Sequence, residues 1–420
     1  MTARDYLFSL EQFGIKLGLE QIRALLDALD RPDRAFRSVV IAGTNGKGSV
    51  TAMTAHALRA AGYRTGRYTS PHLAHIEERI AIDGAPLAPE RFDAIADALR
   101  SAAAALSAPP TFFEATTAMA LEAFRQARVD VAVMEVGMGG RLDATNVLRP
   151  EGVAITSVDF DHQQYLGTTL PAIAAEKAGI VKPGRFCVLG RNPPEVRDVV
   201  TRTCAERGAT LIDATSGIDT RTTIEDGHVR LTLRTPAADY GEVPLGLRGR
   251  HQVDNAVTAV RLLEALAASS QLCVPVDAVR AGLRDVVWPG RLEVLHHRGR
   301  TVIVDGAHNA AAARALAAYL EETYTRRLPI VLGVMRDKDL EAIVAPLAAR
   351  ASAIVCTSAS TPRAAAASAL ADEVRRLAPG VRAIAVDDPR AALDAAAACG
   401  DPIVVAGSLY LAGELRAELS

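Results

Sequence analysis

The chain has 420 residues, enough for two or three domains, and its 49 % hydrophobic and 23 % charged content belongs to a protein that buries sizeable cores, which excludes a disordered or fibrous chain. Forty-seven basic against 49 acidic residues leave a net charge of −2 and aromatics are only 4 %, so composition gives no electrostatic or stacking case for a nucleic-acid or membrane-surface partner. No apolar run approaches the roughly 18 residues of a spanning helix, residues 1–9 lack the apolar stretch of a signal peptide, and the five cysteines are scattered without a CxxC pair, which fits a reducing cytoplasm rather than a disulfide scaffold or zinc knuckle. In chain order, 38–42 reads as a short buried strand, 43–49 as a glycine-rich turn, and 50–61 as a helix stopped by Gly62. A strand over 64–69 and helices over 89–107 and 112–127 follow. The nearly continuous apolar run 129–136 and the run 153–158 have the pattern of central parallel strands. A helix begins near Thr169, with Pro171 in its first turn, and runs to Gly179. Two β runs around Asp226-Gly227, within 221–234, predict a hairpin.

A second series starts after Trp288-Pro289-Gly290. Apolar strands at 301–304, 329–333, 353–356, 382–386 and 402–406 are each followed by an alanine-rich helix. The charged, histidine-containing stretch 293–299 reads as the link between two units, which sets the expected domains at 1–295 and 296–420. The pattern predicts an α/β protein of two doubly wound domains. The first is P-loop ATPase-like, with a largely parallel sheet, and the second is smaller and Rossmann-like.

The strongest chemical signal is Gly43-Thr44-Asn45-Gly46-Lys47-Gly48-Ser49 between a strand and a helix. Backbone N–H groups and the helix N-terminus cradle phosphate oxygens there, Lys47 adds a point charge, and Ser49 offers a hydroxyl to phosphate or Mg²⁺. The strict P-loop pattern fails twice: Ile41 stands at its first glycine, and Gly48 separates Lys47 from Ser49. A tight turn with an incidental lysine is the alternative reading. Glu135 ends an apolar strand ahead of Gly137-Met138-Gly139-Gly140. Asp159-Phe160-Asp161-His162 and Thr69-Ser70-Pro71-His72 also follow strand ends. A solvated strand-end acid and a structural histidine are the plain alternatives. Taken together, Lys47, Ser49, Ser70, Glu135 and His162 on four strand-end loops read as a Mg-nucleotide site. Lysine usage points the same way: only Lys16, Lys47, Lys177, Lys182 and Lys338 occur among the 47 basic residues, so each is a candidate for work that arginine cannot do.

These strings resemble the Mur-ligase superfamily and, within it, folylpolyglutamate synthase/dihydrofolate synthase. The likeness extends through Thr69–Leu73, Glu78-Arg-Ile80, Phe112-Phe-Glu114, Glu135–Asn146, Asp161-His162, Glu176–Ile180, Pro289-Gly-Arg291, Asp305–Asn309 and Gly407-Ser408, in order along nearly the whole chain. The resemblance implies an ATP-dependent ligase that adds L-glutamate to folates, and also to dihydropteroate, through an acyl phosphate, releasing ADP and phosphate. It implies that residues 43–49, Asn255, Arg291, Asp305 and His308 hold ATP, and that Ser49, Ser70, Glu135, His162 and Lys177 hold Mg²⁺, two ions by the family pattern, with Lys177 carbamylated. Lys47, Lys177, His162 and Arg291 would be catalytic. Lys16, Gly18, Phe113, Glu114, Leu142, Asp143 and Ala144 would meet the pteroate, and Lys338 and Ser408 the glutamate. The second domain would bind glutamate and complete the ATP site, in a cytoplasmic monomer whose partners are these small molecules. Two departures stand out: Lys16 occupies a position where some bifunctional members carry an acid, and Ala310 replaces a frequent proline. The rival readings are a monofunctional folylpolyglutamate synthase, another amide ligase of the superfamily, and a regulatory ATP-binding protein.

Overall fold

The computed structural model describes residues 2–14 and 16–419. Its first half contributes β1 (Arg37–Ala42), β2 (Thr65–Tyr68), β3 (Ile80–Ile82), β4 (Ala85–Pro86), β5 (Val131–Glu135), β6 (Gly152–Ile155), β7 (Phe186–Leu189) and β8 (Thr210–Asp213). These hydrogen-bond in the order β4-β3-β2-β5-β1-β6-β7-β8. Pairing is parallel from β2 through β8, while β3 and β4 run antiparallel at one edge. β1 lies centrally because it is apolar on both faces: Val39 and Ile41 enter one core, Val40 and Ala42 the other. The parallel neighbours β2, β5, β1 and β6 therefore deliver their carboxyl-end loops to one rim, where open α/β sheets bind ligands.

The hairpin forms as β9 (Asp219–Glu225) and β10 (His228–Arg234). Asp226 and Gly227, both at positive φ (50° and 74°), make the turn. A third strand, β11 (Asp239–Pro244), pairs with β10 and was not expected; only Tyr240 and Val243 in it are buried, and glycine and proline interrupt its pattern. Val229, Leu231 and Leu233 alternate into the same core as the His251–Ser269 helix.

The second sheet comprises β12 (Glu293–His297), β13 (Arg300–Val304), β14 (Leu328–Leu332), β15 (Ala351–Cys356), β16 (Arg382–Ala385) and β17 (Ile403–Ala406). Its order is β12-β13-β17-β14-β15-β16, parallel except for β12. Each parallel strand is followed by a helix, as expected. The segment 293–299 is not a linker. It is the antiparallel edge strand β12 and its turn, with Glu293 opposite Val304 and His297 opposite Arg300. The expected break between 295 and 296 thus falls inside a strand of the second sheet. Its polar residues read as a link because an edge strand is only half covered.

The two units touch closely. Leu73 of the first packs into the core of the second, and its carbonyl sits where a Cβ on Gly413 would be, so the Leu409–Leu419 helix can lie on this loop only with glycine there. Arg314 pairs with Asp159 at 2.9 Å and Arg250 with Glu322 at 2.8 Å across the same boundary.

Candidate active site

The phosphate loop is built by close approach. Gly46 (φ 84°) caps the Lys47–Ala60 helix, and a side chain there would collide with the Asn255 amide. At Gly43 (φ 150°) a side chain would collide with the Thr156 hydroxyl. The loop is pinned to the strand-end after β6: Thr44 N–H donates to Ser157 O at 2.6 Å, and Thr156 Oγ1 donates to Asn45 O at 2.6 Å. Gly48 departs from the strict pattern for a visible reason, since a Cβ there would lie 2.8 Å from Trp288 Nε1. Lys47 folds over the loop and donates to the carbonyls of Gly43 and Thr44, both at 3.1 Å.

Residues 43–49 open into a cavity of about 600 Å³ that is also lined by Ser70, Glu135, His162, Lys177, Asn255, Arg291, Asp305 and His308. Glu135 is 5 % exposed and accepts the Ser70 N–H at 3.3 Å. Burial raises its pKa, with Lys47, Arg291 and Arg67 pulling the other way. Burial lowers His162 to about 4, so its imidazole is neutral near pH 7 and able to ligate. Two hydroxyls, one carboxylate and one neutral imidazole form a donor set that suits Mg²⁺, a hard cation usually held by one or two carboxylates plus phosphate oxygens and waters. Among the described residues, no three His, Cys, Asp or Glu side chains form an all-protein metal cage. Lys177, 3 % exposed, donates to Gly43 O at 2.9 Å. Burial first, then repulsion from Lys47, lowers it to about 7, against the pull of Asp161 and Asp143.

The second unit closes the cavity through Asp161. Lys338 Nζ donates to Asp161 Oδ1 at 2.6 Å, and both side chains are 9 % exposed. Asn309 Nδ2 donates to Asp161 Oδ2 at 3.1 Å and to Asn45 Oδ1 at 3.0 Å. His308 Nε2 lies 3.7 Å from Asp161, while its Nδ1–H donates to Gly306 O at 2.7 Å. Burial alone would raise the Asp161 pKa, yet His162, Lys338 and His308 hold it well below the usual carboxylate range. Sequence reading quoted Asp161 without giving it a role. Its signal was a second acid just past a strand end, beside the expected metal ligand. Lys338, expected at the glutamate site, is committed to this ion pair. Ser408 lines the cavity, but its Oγ accepts the Tyr410 N–H at 3.1 Å, next to the start of the last helix. Asp305 accepts the Leu292 and Ala307 N–H groups, both at 2.9 Å, and so shapes the joint between the units.

Lys16, Gly18, Phe113, Glu114, Leu142, Asp143 and Ala144 line the same cavity; Ile15, in the same segment as Lys16, lies outside the described residues. Two of the acids act first on the backbone. Glu114 closes a capping box with Thr111, accepting its N–H and its hydroxyl at 2.8 Å each. Asp143 accepts N–H groups of Met138 and Thr145 at 3.0 Å. Lys16 lies over the Phe13 ring at 4.9 Å. Arg79, a cavity residue that sequence reading missed, covers Phe112 at 5.1 Å and donates to His72 Nδ1 at 2.9 Å. Met119 is a core residue. Of the five lysines, four line this one cavity; Lys182 instead secures Asn146, donating to its O at 2.8 Å and its Oδ1 at 2.7 Å.

Residues 41–263 match the Mur ligase middle domain, and residues 290–409 match the Mur ligase glutamate ligase domain. The chain belongs to the Mur ligase family. Among relatives of this Mur ligase, a dihydrofolate synthase/folylpolyglutamate synthase of Mycobacterium tuberculosis is 40 % identical over 437 residues, covering 95 % of this chain and 89 % of that protein. A solved Mycobacterium tuberculosis folylpolyglutamate synthase complexed with ADP and AMPPCP superposes with a TM-score of 0.92 at 37 % identity, covering 100 % of this chain and 99 % of that one. A Yersinia pestis bifunctional folylpolyglutamate synthase/dihydrofolate synthase complexed with AMPPNP and Mn ion gives 0.85 at 30 % identity, covering 100 % and 98 %. This Mur ligase is thus a ligase of the folylpolyglutamate synthase/dihydrofolate synthase type, as its sequence motifs imply.

The Asp161 pair makes a direct prediction. Asp161→Asn leaves the Lys338 ammonium buried and unpaired, which costs about 3–5 kcal/mol. Urea unfolding should show that loss, and adding Lys338→Met should recover part of it. An Asp161→Asn protein as stable as the parent contradicts the pair.

Proposed function

We propose that this ligase uses ATP to phosphorylate the terminal carboxylate of a folate and then joins the acyl group to the amine of L-glutamate, accepting both reduced folates and dihydropteroate. The observation that carries this reading is one cavity lined together by the phosphate loop, by the ring-bearing segment 112–114 and by residues of the second unit. A carboxylate oxygen attacks the γ-phosphorus and ADP departs. The deprotonated amine of glutamate then attacks the acyl carbon and phosphate departs. Lys47 and Arg291 supply fixed positive charge around the phosphates. Asn255, Asp305 and His308 border the nucleotide with residues 43–49. Lys16, Gly18, Phe113, Leu142 and Ala144 receive the pteroate, on a wall held in shape by Glu114 and Asp143. Lys338 and Ser408 are our assignment for glutamate, and Lys338 must leave Asp161 to reach an incoming carboxylate.

Ser49, Ser70, Glu135 and His162 would hold Mg²⁺, which when bound neutralises phosphate charge. We assign Lys177 as a carbamate and a further anionic ligand beside a second ion. The neutral amine adds to CO₂ with loss of one proton, and a lysine lowered to about 7 supplies that amine at neutral pH. The cysteines, all unpaired, support a reducing cytoplasm.

The test of the function is phosphate release with tetrahydrofolate and with dihydropteroate in parallel. Release that requires both the acid and glutamate, for both acids, is expected. Release with tetrahydrofolate alone leaves a monofunctional enzyme, and ATP binding without release with either acid leaves a regulatory protein. For Lys177, ¹³C-bicarbonate should give a carbamate resonance that strengthens from pH 6 to pH 8, because the free-amine fraction rises through a pKa of about 7. Lys177→Arg should fold normally, lack that resonance and lose most activity, since guanidinium stays protonated. A wild-type rate in Lys177→Arg contradicts the carbamate.

A further inference from the structure

Trp288, the chain's sole tryptophan, stands where the first unit hands over to the second. Just beyond it the chain is already bonded to the second unit: Gly306 N–H donates to Gly290 O at 2.8 Å, and Leu292 N–H donates to Asp305 at 2.9 Å. The indole itself leans back on the first unit. Its edge fills the space a side chain on Gly48 would need, and its face is covered by Arg67, whose guanidinium carbon lies 4.8 Å from the ring centroid.

Arg67 is unusual in its company. Among the described residues, no carboxylate lies within 4.0 Å of its nitrogens, and its Nε is sealed from solvent with no hydrogen-bond acceptor. Trp288 Nε1 is sealed in the same way. Arg67 belongs to β2, opposite Val133 in the register with β5, and Glu135 ends β5 two residues later. Glu135 and Glu78 are the acids whose fields reach it, with Arg59 opposing. A sealed guanidinium nitrogen without an acceptor carries a desolvation cost that an aliphatic side chain would avoid. What the arginine adds is a cation held on a ring face beside the strand that ends in Glu135.

We propose that Arg67 and Trp288 act as one strut between the phosphate loop and the joint of the two units. They are positioning residues for phosphoryl transfer, and Trp288 senses occupancy of the phosphate loop. The inference rests on the ligase reading for ATP as phosphoryl donor. With one tryptophan, intrinsic emission reports this position alone. Titration of the full-length enzyme with Mg-AMPPNP should shift or quench that emission saturably. No change at saturation, in a preparation that forms ADP with a folate and glutamate, overturns the strut and leaves the ligase reading intact. Absence of ADP formation with either folate overturns the ligase reading instead. Arg67→Met and Trp288→Ala should each lower kcat about tenfold, with a smaller change in KM for ATP. The double variant should lose no more than the worse single one, because the two side chains form a unit. Arg67→Lys should restore most of the rate, since an ammonium also seats on the ring. Additive losses, or a rise in KM alone, overturn the proposal. Should Arg67→Met fail to fold, the wild-type titration and Arg67→Lys still decide it.

Discussion

One carboxylate, Asp161, is shared by both halves of the molecule. It is carried past the end of β6 by the first sheet, yet its ligands Lys338 and Asn309 come from the second unit, with His308 beside them. A carboxylate and an ammonium this poorly exposed repay their desolvation only when they meet in good geometry with further hydrogen bonds. That condition ties the two sheets together at the cavity, alongside the Leu73 contact with the last helix and the Arg314–Asp159 pair. Arg291, Asp305 and Ser408 of the joint and second unit border the same cavity as the phosphate loop.

The chemistry inside the cavity follows from crowding charges into little water. Lys47, Lys177, Lys338 and Arg291 face Glu135, Asp143 and Asp161. Burial drives the protonation states toward neutrality where it outweighs the partners: Lys177 falls to about 7 and His162 to about 4, while Glu135 and Asp143 rise. Where the partners together outweigh burial, as at Asp161, the charge is retained. The result is a neutral imidazole and a reactive amine beside a loop shaped for phosphate.

Much of this was legible in the sequence. The strand, glycine turn and helix around Lys47 announce themselves locally, as do apolar runs that end in Glu135 or lead into Asp159–His162. The scarcity of lysine singles out five residues, of which Lys16, Lys47, Lys177 and Lys338 line the cavity and Lys182 instead holds Asn146. What escaped was non-local or only half covered. Strands β11 and β12 carry too few apolar residues to stand out. Asp161 and Lys338 are 177 residues apart, so no spacing links them. Glu114 and Asp143 read as ligand contacts, whereas their oxygens also hold helix and loop N–H groups. The extra glycine at position 48 departs from the motif because Trp288, 240 residues away in sequence, packs against it.

The central claim is that the two units together bring a folate carboxylate to the γ-phosphate of ATP. The most direct measurement labels that carboxylate with ¹⁸O, runs one round of ligation with ATP and glutamate, and weighs the released phosphate by mass spectrometry. The account predicts that one ¹⁸O passes from the carboxylate into inorganic phosphate, because the acyl–oxygen bond breaks when the amine attacks. Phosphate free of label, with amide product formed, would contradict it.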